Sequence, residues 1–92
     1  MNSPQLDNLI KIGSLKTEPY DKREFDNLLR SARNRLLDAQ RLELSLESRF
    51  DLAYNAAHAL SLAALRRHGC RSDNRYLVFR CLQHTVGLAS AK

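Results

Sequence analysis

Residues 48–69 read SRFDLAYNAAHALSLAALRRHG, and the reading of this stretch decides the fold. It is apolar or small for about six helical turns. With Leu46 just ahead of it, Phe50, Ala53, Ala57, Leu60 and Ala64 recur at alternating spacings of four and three. That period is one face of a helix. A second row, Leu52, Ala56, Ala59 and Ala63, runs beside the first. Two apolar rows mean a helix that meets neighbours on more than one side, and the alanines let those neighbours approach closely. The spacing therefore predicts a helix over 46–68, central in a bundle. Arg66, Arg67 and His68 fall in its last turn, where cations complement the helix dipole, and Gly69 suits the left-handed cap.

The flanking elements read as helices too. In YDKREF, residues 20–25, Asp21 is an N-cap with Glu24 three residues on, a capping box. Tyr20 and Phe25 stand at the spacing of a hydrophobic staple. Phe25, Leu29, Ala32, Leu36 and Ala39 continue at helical spacing, widened by Leu28 and Leu37, and predict a helix over 22–42. Arg23, Arg30, Arg33, Arg35 and Arg41 make its wet face basic. Ser45 caps the central helix. Upstream, Ser3, Pro4 and Gly13 bracket a short helix over 4–12, docked through Leu6, Leu9 and Ile10. Downstream, Ser72 or Asp73 caps a last helix over 73–86, with Tyr76, Phe79, Leu82 and Val86 on one stripe. The fold read from these signals is all-α, an up-and-down bundle of three to four helices in one domain over residues 1–92. Residues 1–20 supply the short helix and a linker, and 21–86 the bundle core. Leu36, Phe50 and Leu60 are expected in that core, and no β-strand is expected between 21 and 86.

Composition bounds the function. The chain has 92 residues, 43% of them hydrophobic and 27% charged, with only three Gly and two Pro. That is a globular helical composition. Fifteen Lys and Arg give a net charge of +5, a diffuse attraction for anions that is no nucleic-acid signature by itself. Cys70 and Cys81 form no C-x-x-C pair and no disulfide framework. No apolar run is long enough for a bilayer, and residues 1–20 do not read as a signal peptide. A cytoplasmic protein with reduced thiols and no membrane association is expected.

Chemistry-bearing residues are few. The sequence has no glycine-rich phosphate loop, no G-x-S-x-G and no H-E-x-x-H. His58 reads as a half-buried histidine of a core or interface. Arg80 and His84, four residues apart, share one face of the last helix, where they could hold a phosphate and move a proton. His68, Cys70, Cys81 and His84 can be assembled into a zinc reading, but H-x-C is not a usual ligand pair, and cysteine is a good small core residue. Neither a metal nor a cofactor is expected.

The run AYNAAHALSLAALRRHG, residues 53–69, followed by a capped helix, resembles the HEPN superfamily of small helical domains. The likeness lies in Tyr54 with the paired Ala56 and Ala57, the alanine-rich helix and the closing Gly69, and it covers about residues 21–86. It implies an up-and-down helical bundle, usually dimeric. Some members of the family are metal-independent ribonuclease toxins, and others partner small nucleotidyltransferases. Catalytic members carry an arginine, four to six residues, then a histidine near the start of a final helix. Here only three residues separate Arg80 from His84, and the chain is expected to end before that helix, so no catalytic residue carries over. The expected function is a non-catalytic interaction module of a toxin–antitoxin or nucleotidyltransferase-partner system, forming a homodimer. The alternative is an RNA- or nucleotide-acting protein with a degenerate site at Arg80 and His84.

Overall fold

The computed structural model describes residues 4–85. Along the chain run α1 (Pro4–Lys11), the two-residue strand β1 (Lys16–Thr17), α2 (Lys22–Ala39), α3 (Leu46–Arg67), β2 (Cys70–Arg71), α4 (Arg75–Arg80) and α5 (Leu82–Thr85). The architecture is a helical bundle, and α3 is its centre, contacting α2 on one side and α4 and α5 on another.

The helix starts follow the local chemistry. Asp21 Oδ1 accepts from the backbone N–H of Arg23 at 2.9 Å and of Glu24 at 3.3 Å, and Ser45 Oγ accepts from Ser48 N–H at 3.1 Å. The Tyr20 and Phe25 rings meet edge-on at 5.8 Å, which fixes the entry of α2. Gly69 closes α3 with φ +76°, a conformation that favours glycine because a Cβ there is strained. The last helix is capped by Asn74, whose Oδ1 accepts from Leu77 N–H at 3.1 Å, and not by Ser72 or Asp73. It starts at Arg75 instead of residue 73 and is interrupted at Cys81, where His84 N–H reaches back only three residues, to Cys81 O at 2.9 Å. Its expected extension to Val86 lies outside the described residues. Helix α2 ends at Ala39, three residues short of the expected limit, and the Arg49 guanidinium covers the exposed end by donating to Ala39 O at 2.7 Å.

Two further expectations are corrected. The first concerns the strand. Gly69 turns the chain so that Lys16 pairs with Arg71 and Thr17 with Cys70, antiparallel, and Glu18 N–H extends the ladder to Gly69 O at 2.9 Å. The linker after α1 is thereby tied to the turn after α3.

The second concerns the core. Leu36, Phe50 and Leu60 are not interior: they are 41%, 67% and 42% exposed. The buried row of α3 is the other one, where Ala56, Ala59 and Ala63 are all enclosed. Ala56 and Ala59 pack on Ala32 of α2, with Leu28 alongside. Helices brought together on alanine approach more closely than helices brought together on leucine or phenylalanine, so the bulky row turns outward. A second cluster lies at the other end of α3: Leu6 of α1 and Leu15 just after it cover Leu65, Cys70, Val78 and Cys81.

Leu65→Ala should cost about 2–5 kcal/mol in chemical denaturation, because it empties a fully enclosed site. Phe50→Ala at matched dilute concentration should cost less than about 1 kcal/mol, in keeping with its exposure.

Candidate functional site

The last helix places Arg80 and His84 together. Both line a shallow cavity of about 200 Å³ with Tyr76, Leu77, Cys81, Gln83 and, from α1, Leu9. The Arg80 guanidinium lies 5.5 Å from the centre of the Tyr76 ring, and its Nη1 donates to Tyr76 Oη at 2.8 Å. Among the described residues no carboxylate lines the cavity to orient the His84 ring. The arrangement can bind an anion beside apolar surface.

His58 is half-buried, its ring edge-on to Phe79 at 5.8 Å. Burial lowers its pKa below the ordinary value, and the nearby Arg75 charge adds to the effect. It belongs to an aromatic row in which Phe50 stacks on Tyr54 at 6.4 Å and Tyr54 meets Phe79 at 5.5 Å. Arg75 lies over the Tyr54 ring and donates to Asn55 Oδ1 at 3.1 Å.

The zinc reading finds no geometry to support it. Among the described residues no three His, Cys, Asp or Glu side chains lie together as metal ligands. His68 Nε2 instead sits 3.1 Å from Thr85 O, and both cysteines are free and buried in the packed end of the bundle. Burial raises both thiols above the usual range.

The most strongly built polar cluster is one that the sequence reading missed. Arg66, assigned there to the helix dipole, is only 1% exposed. Its Nε donates to Glu24 Oε1 at 2.8 Å, its Nη2 to Pro19 O at 2.7 Å, and its Nη1 to Glu18 O at 3.0 Å and Cys70 O at 3.3 Å. The Glu18 carboxylate adds an ion pair at 3.6 Å. Arg71 completes the set by donating from Nη2 to the other oxygen of Glu24. Its Nε faces Glu18 Oε1 at 3.1 Å without the alignment of a hydrogen bond. Glu24 thus shares its carboxylate between two arginines, one from the end of α3 and one from β2. The available signal was positional: Arg66 continues the row Ala56, Ala59, Ala63 at the next spacing of three.

Compared with known proteins, the chain matches no family model, no curated protein and no solved structure. Among the described residues, no helix is long and apolar enough to cross a membrane.

Arg66→Met leaves Glu24 facing one arginine fewer and should destabilise the fold by about 3–5 kcal/mol in urea, the range for breaking a buried pair. Glu24 also sets a pH dependence. Partial burial pushes its pKa up, but the hydrogen bonds and charges of Arg66 and Arg71 outweigh burial and hold it below the ordinary 4.5. Below that value the unfolded chain takes up the proton first, so stability falls as pH drops through the folded-state pKa. The urea midpoint should fall on acidification from pH 5 to 3, and Glu24→Gln should flatten that slope.

Proposed function

We propose that this chain is a non-catalytic helical interaction module of HEPN type, cytoplasmic, that associates with itself through the outward face of α3. What carries this reading is the apolar row that the bundle leaves open. Leu46, Phe50 and Leu60 are exposed along α3, with no charged residue among them or among Ala53, Ala57 and Ala64 in the same row. By helical phase, the part-exposed Leu29 and Leu36 of α2 lie on the same side. A contiguous apolar surface of this kind marks a contact site on a folded domain. A toxin–antitoxin or nucleotidyltransferase-partner system is the setting that the likeness of residues 53–69 to HEPN domains suggests.

A second reading is supported by one observation, the convergence of Arg80 and His84 on one cavity. In it the protein acts on RNA or a nucleotide, with the guanidinium holding phosphate and the imidazole moving a proton. The absence of a carboxylate among the described residues that line the cavity, and the contact of Arg80 with Tyr76, favour the first reading.

The two readings separate in two assays. Light scattering at micromolar concentration should give twice the chain mass, and about 1 M salt should leave it unchanged, because screening acts on exposed charges and not on apolar burial. A monomer would reject self-association. Nuclease-free protein should leave RNA intact, whereas cleavage that is lost in His84→Ala would establish the second reading.

A further inference from the structure

The open row of α3 has an order that specifies how it would be covered. Its six members are Leu46, Phe50, Ala53, Ala57, Leu60 and Ala64, spaced as the a and d positions of a coiled coil. Set against a second copy running antiparallel, with a two-fold axis level with residue 55, Leu46 meets Ala64, Phe50 meets Leu60, and Ala53 meets Ala57. The centre is alanine on alanine, which permits the same close approach that joins α2 to α3 within one chain. The larger side chains interlock on either side.

The rest of the hairpin agrees with that direction. α2 lies on one flank of α3 and runs antiparallel to it. Under the two-fold, the α2 helices of the two copies fall on the same flank, with the part-exposed Leu36 nearest the axis. Four helices then enclose one apolar centre. A parallel pairing would instead put the two α2 helices on opposite flanks and leave Leu36 without an apolar neighbour on α2 of the other copy. The antiparallel arrangement also opposes the two helix dipoles. It brings the acidic end of one α3, marked by Glu43 and Glu47, beside the Arg67 end of the other.

The area is consistent with a self-contact. Taking an open leucine or phenylalanine side chain as roughly 150–200 Å², the exposed parts of Leu29, Leu36, Leu46, Phe50 and Leu60 amount to roughly 400–500 Å² per copy. With the alanines and the polar rim, two copies reach the lower end of stable interfaces, about 1,200 Å² in total.

We infer that the partner of this face is a second copy of the chain, docked through an antiparallel α3–α3 contact centred on Ala53 and Ala57, with Phe50 against Leu60. The inference rests on the self-association proposed above and adds its surface and direction. The test uses the full chain carrying a spin label at Glu47→Cys, an exposed position beside the apolar row and not in it; the native Cys70 and Cys81 are enclosed. Light scattering first establishes the mass, and pulsed electron–electron spectroscopy then gives the label separation. Positions 47 of the two copies are sixteen residues apart along the contact, so a separation of about 25–35 Å is expected. A dimer with a separation below about 20 Å would mean parallel pairing, overturning this inference while leaving self-association standing. A monomeric wild type would overturn both and leave the face to a different protein. Phe50→Glu and, separately, Leu46→Glu should each weaken the dimer at least tenfold while helical content is kept. Dimers that persist in both variants would place the contact elsewhere and overturn the inference.

Discussion

A guanidinium withdrawn from water holds four segments of this chain in one place. Arg66 reaches the carboxylate of Glu24 on α2, the carbonyls of Glu18 and Pro19 in the segment after β1, and the carbonyl of Cys70 beyond α3. Removing a charge from solvent costs several kcal/mol unless it is paired and its hydrogen-bonding capacity is used. Here that is met only when all four segments are present together. The ion cluster therefore strengthens both the docking of the N-terminal segment and the closure of the α2–α3 hairpin. Arg71 reinforces the coupling, because it shares Glu18 and Glu24 with Arg66 from the other side of Gly69.

Between its ends, the hairpin is thin. Its seam is Ala32, Ala56 and Ala59 with Leu28, which buries little area per residue. Each end is closed by an arginine of α3: Arg49 on the last carbonyl of α2, and Arg66 on the side chain at its first turn. The outward turn of Phe50 and Leu60 is a consequence of this seam. An interface chosen for closeness leaves the large side chains on the other row, where they are available for contact with something outside the chain.

The signals that could be read from sequence were local ones. Asp21, Ser45 and Gly69 mark their helix ends because each supplies a hydrogen bond or a backbone conformation to its immediate neighbours. The choice between the two rows of α3 was not legible, since both are equally apolar and only their volumes, matched to α2, decide between them. The strand pairing was not legible either. Lys16–Thr17 and Cys70–Arg71 have no strand pattern of their own and pair because the Gly69 turn and the docking of α1 bring them together. At the candidate site, the shared face of Arg80 and His84 followed from their spacing. The cavity did not, because Leu9 enters it from the far end of the chain.

The N-terminal segment covers more than hydrophobic surface. Cys70 and Cys81 are enclosed in the same cluster as Leu6 and Leu15, and that segment is held by a two-residue ladder and the Arg66 cluster. Sub-global opening of such a segment needs less free energy than unfolding of the whole bundle. The rate at which a thiol reagent reaches these two sulfurs therefore reports the lifting of this segment, separately from the melting of the helices beneath it. The chain carries, in effect, its own chemical gauge of how firmly residues 4–18 are seated.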